Sequence, residues 1–288
     1  MRKIKDFVIE KLIFLSGITT IVFVVLIFAF LLKEGGTFFY EHNPLSFLGG
    51  KLWYPASDPA HFGILSLLVG SFLITLGAAA IAVPLGIMCA LYIAEVAPAS
   101  VKDILKSCVE LLAAIPSVVI GFIGMVTLVP FVRTLFDLPT GLTAFSGSLM
   151  LAFMAMPTIV SISEDAIRAV PWQYKEGALA LGATKWQTMF RIVLPAAMPG
   201  IVAAVMLGIG RVIGETMAVM MITGNAAYIP SSLFEPVRTM TATIAAEMGE
   251  TVKGSMHYSA LFAIGLVLFI ITFIINFIAD SFMRRAKR

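Results

Sequence analysis

The sequence predicts an all-α membrane protein with six transmembrane helices. Of its 288 residues, 59% are hydrophobic and only 13% are charged, and the mean hydropathy is +0.98. Soluble domains are about 45–50% apolar and about 25% charged, so a chain this apolar cannot cover a water-facing surface with polar groups. This composition argues against a soluble enzyme and a disordered scaffold, and the net charge of +3 is too small to favour nucleic acid.

Six apolar stretches approach or exceed the roughly 20 residues that a helix needs to cross a bilayer. They are 13–32, 62–94, 111–132, 138–163, 198–228 and 257–279. The first is too long for the hydrophobic region of a signal peptide, so we predict a retained anchor helix. We assign 1–62 to this anchor and an outer loop, 63–280 to a transmembrane core, and 281–288 to a basic cytoplasmic tail.

The basic residues are divided unevenly between the two predicted faces of the membrane. If both termini are cytoplasmic, 14 of the 20 lysines and arginines lie inside and five lie outside, while Arg211 lies within a span. Cytoplasmic loops of membrane proteins carry an excess of these residues. We therefore predict a multi-pass protein with both termini in the cytoplasm.

The longest predicted cytoplasmic loop, 164–199, carries signals for two short helices joined by a sharp corner. Pro171 suits the first helix, because a missing N–H costs nothing in the first turn, and Gly182 suits its C-terminus. The residues from Thr184 onward have the spacing of a capping box, which predicts the start of a second helix. Pro195 is expected to end that second helix.

Two interpretations of this loop remain open on the residues alone. One is an amphipathic helix that rests on lipid headgroups. The other is a docking site for a protein partner, favoured by small residues in the first helix and by large apolar side chains of the kind that anchor interfaces. The small residues are Gly177, Ala178 and Ala180, and the large ones are Trp172, Tyr174, Trp186, Met189 and Phe190.

Seven positions of the loop follow a distinctive spacing. They are Glu176, Gly177, Ala178, Gly182, Ile192, Leu194 and Pro195. This spacing resembles the EAA loop of ABC importer permeases, whose pattern is E-A-A-x3-G-x9-I-x-L-P, with glycine at the first alanine. The resemblance implies a type I importer permease fold, in which the loop forms coupling helices that dock on a separate ATPase dimer. The chain has no G-x-x-x-x-G-K-[ST] sequence, so ATP and magnesium are expected on that partner.

Two charged residues, Arg211 and Glu215, interrupt the fifth apolar stretch. Four residues apart, they would share one face of a helix. A charge at the bilayer centre costs about 2.5–3.5 kcal/mol on the insertion scale, so such residues are normally shielded or line a wet pathway. One interpretation is a structural pair that neutralises itself. The other is an arginine that meets an anion in transit, with two parallel hydrogen bonds to a phosphate, beside a glutamate that orients or restrains it.

The segment 208–219, which reads GIGRVIGETMAV, resembles the matching segment of phosphate-specific ABC permeases of the C type. Residues 111–117 also resemble the third-span region of that subfamily. The resemblance implies that Arg211 and Glu215 take part in phosphate passage. Apart from the resemblance, we expect the Thr216 hydroxyl to lie beside them.

The resemblance implies a permease subunit of an ATP-driven phosphate importer that works by alternating access in the cytoplasmic membrane of a prokaryote. Its expected partners are a homologous A-type permease, a cytoplasmic ATPase dimer, an extracytoplasmic phosphate-binding protein, inorganic phosphate and membrane lipid. No catalytic residue, metal site, cofactor or nucleic-acid partner is expected for this chain itself.

Three alternatives to a phosphate importer are an ABC permease for sulfate or molybdate, an ion-coupled secondary transporter and an intramembrane enzyme. The segment around Arg211 favours phosphate over the other oxyanions. The secondary transporter is disfavoured because no clear internal repeat or coupling-ion site is visible in the sequence. The enzyme is disfavoured because no paired nucleophile and base and no metal-ligand set occur in the spans.

Overall fold

The computed structural model describes residues 2–286, with the side chains of residues 9–98 and 100–281, and the described chain is predominantly helical. Lys287 and Arg288 of the predicted basic tail lie outside the described residues. The helices are α1 (Arg2–Gly36), α2 (Pro44–Gly49), α3 (Leu65–Leu91), α4 (Ala99–Ala114), α5 (Ser117–Ile123), α6 (Val129–Leu135), α7 (Ala144–Arg168), α8 (Trp172–Ala180), α9 (Lys185–Thr188), α10 (Leu194–Gly214), α11 (Met217–Ile222), α12 (Met240–Glu247) and α13 (Met256–Ala286). Two short strands, β1 (Trp53–Tyr54) and β2 (His61–Phe62), pair antiparallel between α2 and α3.

Six stretches of the described chain are long and apolar enough to cross a membrane, which confirms the predicted number. They are Ile9–Tyr40, Leu65–Val96, Ser117–Leu135, Ala144–Arg168, Lys185–Gly214 and Met256–Ser281. Three of them contain a turn of π-helix, in which the hydrogen bonds join residues five apart. These turns are Tyr92–Val96, Gly124–Leu128 and Met189–Val193.

The predicted third span, 111–132, begins too early. Residues 111–114 are the last turn of α4, and the membrane-spanning segment begins only at Ser117. Proline disfavours helical backbone in the residue before it, and Ile115, which precedes Pro116, is extended with ψ 127°. Helix α4 is therefore separate from the third span.

Helix α4 is fixed to the end of α7 by charged side chains. The Lys106 ammonium lies 3.0 Å from carboxylate oxygens of both Glu164 and Asp165, and Arg168 pairs with the buried Glu164. The hydrogen bonds to Asp165 and Glu164 raise the pKa of Lys106 above its ordinary value, so Lys106 remains charged at neutral pH. This cluster lies at the face that we predict to be cytoplasmic.

Helix α7 is the centre of the bundle and packs between α3 and α10. Both neighbours approach α7 closely at a glycine, Gly86 of α3 and Gly208 of α10. A Cβ added to Gly86 would lie 2.8 Å from the Ile159 side chain, and one added to Gly208 would lie 2.5 Å from it. Lipid supplies no hydrophobic driving force between helices, so close approach through small residues is what allows them to associate. Helices α3, α7 and α10 therefore pack as one unit.

Helix α1 lies at the edge of the bundle against α13. The rings of Phe28 and Phe269 are 5.2 Å apart, and those of Phe30 and Phe262 are 5.4 Å apart. This order of contacts makes the two helices antiparallel, so both ends of the chain lie at one face. Most described side chains of α1 are apolar and exposed, which leaves this surface for lipid or another subunit.

The segment 37–64 folds as a compact cap over the start of α13. Phe38, Phe47 and Trp53 are buried in it and belong to one apolar cluster with Leu261 of α13. This packing holds the cap at the face opposite the chain ends.

The predicted fifth span, 198–228, is wrong at both ends. Its helix begins at Lys185 in the cytoplasmic loop and continues through the π turn at Met189–Val193 into α10. It ends at Gly214, and the short helix α11 begins only after the non-helical residues 215–216. The fifth span is therefore a broken helix.

The expectation that Pro195 ends the second loop helix is also wrong. Pro195 lies in the first turn of α10, directly after the π turn, and the helix continues past it. A proline ring normally clashes with the carbonyl four residues earlier. The wider π turn provides room at this point, so the chain continues into α10 without leaving the helix.

Candidate substrate pathway and coupling loop

Arg211 lies in the last turn of α10, and its side chain is exposed. Within the described residues its guanidinium has no hydrogen bond and no ion-pair partner. The neighbouring Gly210 and Gly214 have no other atoms of the chain within 4 Å of where a Cβ would stand. The helix C-terminus offers partial negative charge, which favours a cation here. The end of α10 therefore favours the positive charge of Arg211, and the exposed side chain is open to a ligand.

Glu215 does not pair with Arg211, so the expectation that both side chains share one helix face is wrong, and so is the interpretation of a structural pair that neutralises itself. Residue 215 is the C-cap of α10, and its backbone is extended with φ −69° and ψ 132°. Its carboxylate instead accepts a hydrogen bond from the backbone N–H of Ala218, at 3.3 Å, in the first turn of α11. The four-residue spacing brings two side chains together only within a continuous helix, and this helix stops between them.

Both side chains nevertheless line one narrow crevice against α7. Its other lining residues are Leu151, Met154, Ala155 and Val212. The crevice has no interior space for a water-sized molecule in this conformation. An ion can therefore reach Arg211 only from the exposed side of α10.

Thr216 lies at the break itself, between α10 and α11. Its hydroxyl donates a hydrogen bond to the Gly214 carbonyl at 3.2 Å. That carbonyl is one of the groups that a helix end leaves without an intrahelical partner. The hydroxyl thus helps to end α10. That Thr216 also lies beside a bound anion stays a prediction.

The loop helices form as the local signals predict. Gly182 has φ +82°, a left-handed conformation that favours glycine, and it follows α8 as the reversal that ends the helix. The N–H of Ala183 donates to Ala178 at 3.1 Å and that of Gly182 to Leu179 at 3.0 Å, the two bonds of a Schellman motif. At the start of α9, both bonds of the Thr184 capping box are present.

The two loop helices present an exposed surface at the face that carries the chain ends. Helix α8 has no buried residue, and Glu176 and Gly177 are both exposed on it. Large apolar side chains are exposed nearby: Trp172, Tyr174, Leu181, Trp186 and Phe190. A concentration of exposed aromatic and aliphatic side chains of this kind is typical of an interaction surface.

A groove of about 430 Å³ separates the loop helices from the end of α3. Across it, the Lys175 ammonium of α8 lies 2.5 Å from the Glu95 carboxylate in the π turn that ends the second span. Both side chains are mostly buried, at 14% and 19% exposure, and the Trp172 ring lies 5.7 Å from the same ammonium. This ion pair is the polar link between the loop and the packed unit of α3, α7 and α10.

Replacing Glu95 by glutamine is expected to loosen the loop from the bundle. Loss of one partner from a buried pair costs about 3–5 kcal/mol, and residual solvent contact reduces this to about 1–3 kcal/mol here. The melting temperature of the purified protein should fall. Exchanging the charges in the double variant Glu95→Lys, Lys175→Glu should restore the melting temperature. An unchanged melting temperature in Glu95→Gln, or a charge swap that does not restore it, would contradict the link.

A second polar cluster, at the opposite face, was missed by the sequence analysis. The Glu247 carboxylate at the end of α12 accepts hydrogen bonds from Trp53 Nε1 at 3.0 and 3.1 Å and from Arg238 Nη1 at 2.8 Å. His257 Nε2 lies 2.8 Å from the same carboxylate. These bonds join the cap, α12 and α13. The only local signal was a glutamate at the end of an otherwise apolar helix. Trp53 lies 194 residues away in sequence, and Arg238 and His257 lie outside α12.

In the described chain, six helices long and apolar enough to cross a membrane, a break beside a charged residue and an exposed two-helix loop together define a multi-pass membrane protein. The chain belongs to the family of binding-protein-dependent transport system inner membrane components, whose family profile matches residues 82–288.

Several relatives are similar over most of their length. A probable ABC transporter permease protein, YqgH, of Bacillus subtilis is 40% identical over 85% of this chain and 79% of its own. A phosphate transport system permease protein, PstC, of Mesorhizobium japonicum is 38% identical over 83% and 78%. The PstC protein of Pasteurella multocida is 34% identical over 84% and 81%.

Solved structures of ABC importers have the same fold. The chain matches a bacterial ABC transporter involved in the import of the acidic polysaccharide alginate, with a TM-score of 0.66, 15% identity and full coverage of both chains. It also matches an inward-facing form of the MetNI methionine ABC transporter, with a TM-score of 0.58 and 23% identity, over 78% of this chain and 95% of the other. The chain therefore has the fold of type I ABC importer permeases.

Proposed function

We propose that this chain is the permease subunit of an ATP-driven importer of inorganic phosphate. The observation that carries the proposal is Arg211, an exposed arginine without a partner in the described chain, at the break of a membrane span. Relatives named as phosphate transport system permeases support phosphate as the anion.

In this proposal both termini, α4 and the loop helices α8 and α9 face the cytoplasm. The uneven distribution of basic residues supports this orientation. The antiparallel contact of α1 with α13 supports it as well, because it puts both chain ends at one face. The cap 37–64 and the Glu247 cluster then face the outside, where a phosphate-binding protein would deliver its load.

Arg211 binds the phosphate by charge and by shape. Its planar guanidinium can donate two parallel hydrogen bonds to phosphate oxygens, and the low-dielectric surroundings of a span strengthen both. Since the crevice against α7 is closed, the phosphate occupies the exposed side of α10. A homologous A-type permease that covers this side would complete the pathway and exclude lipid from it.

Glu215 limits how tightly the phosphate is held. Its carboxylate lies in the same crevice as Arg211 but is engaged with Ala218. A negative charge at this position weakens the attraction of the arginine for an anion, and transport requires binding that is not too strong.

The loop around Glu176 docks on a cytoplasmic ATPase dimer, which binds ATP and magnesium. The exposed side chains of α8 and the region near Trp186 support this docking. ATP-driven movement of the loop reaches the bundle through the Lys175–Glu95 ion pair. This chain binds and releases the anion while the chemistry of hydrolysis belongs to the partner.

Reconstituted transport tests the proposal. The chain, with its partner permease, ATPase dimer and binding protein, is placed in liposomes that contain ATP, and uptake of labelled phosphate is measured. We expect uptake that vanishes without ATP, persists when ion gradients are collapsed, and resists competition by sulfate or molybdate. Effective competition by sulfate or molybdate would favour the alternative oxyanion, and sensitivity to ion gradients would favour a secondary transporter.

A further inference from the structure

We propose that Thr241 is a positioning residue that maintains the break between α10 and α11 and thereby keeps Glu215 away from Arg211. This inference rests on the proposed role of Arg211 as the phosphate contact. Thr241 lies 26 residues after Glu215 in the chain, on the short helix α12, and touches the break through a single hydrogen bond.

The bond joins the Thr241 hydroxyl to the backbone carbonyl of Glu215. The hydroxyl donates to this carbonyl at 2.9 Å, and Thr241 is only 9% exposed, so water does not compete freely for either group. The carbonyl belongs to the residue that ends α10, where the intrahelical partner is missing. The hydroxyl supplies that missing partner from another element.

Helix α12 is itself held firmly, so the donor has a defined position. The N–H of Met240 donates to the Ser71 hydroxyl of α3 at 3.0 Å. The Thr239 side chain caps the helix by accepting from the N–H of Ala242 at 3.2 Å. The Thr239 and Thr241 hydroxyls also lie 3.2 Å apart. The Thr241 hydroxyl is therefore part of a buried polar network anchored to the packed unit of α3, α7 and α10.

The break has a competing state, which is a continuous helix. In that state the Glu215 carbonyl would accept the N–H of Val219, four residues later, as in any α-helix. Its carboxylate would then stand one turn above Arg211 and attract it. The attraction would neutralise the arginine and compete with a bound anion. The Thr241 hydroxyl favours the broken state, because it satisfies this carbonyl without the helical bond.

Two consequences follow for transport. With the break intact, Glu215 is engaged with Ala218 and only moderates the attraction of Arg211 for phosphate. If the break closes, the two side chains pair and the affinity for phosphate falls. Thr241 therefore keeps the affinity of the protein for phosphate high without contacting phosphate itself.

The test compares three single variants of α12 in the reconstituted complex, by the KM for phosphate in ATP-driven uptake. Thr241→Val replaces the hydroxyl by a methyl group of similar shape and is expected to raise KM about tenfold, since loss of a buried hydrogen bond is typically felt at this scale. Thr241→Ser keeps a hydroxyl and should stay within about twofold of the wild type. Thr243→Val is the matched control, because Thr243 is fully buried on the same helix and donates at 2.8 Å only to Thr239 of that helix.

A double variant distinguishes the proposed role from a merely structural one. Glu215→Gln removes the negative charge beside Arg211 and is itself expected to lower KM, so the double variant is compared with Glu215→Gln alone. In that background Thr241→Val should change KM by less than about twofold, because the charge that would pair with Arg211 is already absent. Assembly of each variant is checked by copurification of the ATPase; if Thr241→Val does not assemble, Thr241→Ala takes its place with the same expected shift.

The inference is overturned if Thr241→Val keeps the wild-type KM, if Thr243→Val raises KM equally, or if Thr241→Val raises KM as much in the Glu215→Gln background as in the wild type. All of these are measured relative to wild-type phosphate uptake. Absence of phosphate uptake by the wild-type complex would instead overturn the proposed function itself, so the two failures are distinguishable.

Discussion

Replacing Arg211 by alanine is expected to abolish phosphate import while the complex still assembles. The guanidinium makes no hydrogen bond or ion pair with the rest of the described chain, so its removal costs the fold little. Two hydrogen bonds between charged groups, at about 1.5–3 kcal/mol each, correspond to a loss of about 100-fold or more in uptake. Uptake of labelled phosphate into liposomes measures the effect, and copurification of the ATPase measures assembly.

Arg133 provides a matched control for this variant. It is also an exposed arginine in the last turn of a membrane helix, at the end of α6, and it is remote in sequence from the break. Arg133→Ala should import phosphate at nearly the wild-type rate. Arg211→Lys should fall between the two, because lysine keeps the charge but cannot form the two-pronged contact. Wild-type uptake by Arg211→Ala would show that this arginine does not contact the anion.

Glu176→Lys is expected to uncouple ATP hydrolysis from transport or to release the ATPase. Glu176 is exposed on α8, where no residue is buried, so the substitution leaves the fold of the loop intact. A reversed charge on a docking surface places like charges together where the partner is complementary to Glu176. This costs several kcal/mol, which corresponds to at least about a tenfold loss of association or coupling. The measurements are copurification of the ATPase and phosphate-stimulated ATP hydrolysis.

Glu110→Lys controls for the change of net charge at the same face. Glu110 is an exposed glutamate on α4, outside the coupling loop. This variant should bind the ATPase and hydrolyse ATP as the wild type does. The docking assignment would be wrong if Glu176→Lys copurified with the ATPase and showed unchanged phosphate-stimulated hydrolysis.

The two helices of the loop 164–199 were largely predictable, because their signals are local. The Schellman reversal at Gly182 and the capping box at Thr184 each depend on residues within one turn of the helix end. The error at Pro195 has a physical cause as well. The effect of a proline on a helix was predicted from the residues next to it in sequence. The π turn that accommodates Pro195 forms only where the loop helix joins the fifth span.

The candidate phosphate site was predictable in its residues but not in its geometry. Arg211 and Glu215 were identified from the cost of charge in an apolar stretch, and both do line one crevice. The expectation that they share one helix face was wrong, because the spacing assumes a continuous helix. The break that separates them is stabilised by Thr241, which lies 26 residues further along the chain.

Six membrane spans and the two loop helices follow from the amino-acid pattern alone. A long apolar run inserts as a helix, and capping residues end a helix, because each effect acts within a short window of sequence. The broken fifth span and the unpaired Arg211 were decided by the tertiary structure. Whether the backbone at Glu215 stays helical depends on which group donates a hydrogen bond to its carbonyl. Here the donor is the Thr241 hydroxyl of α12, which is placed beside the carbonyl by the packing of the bundle.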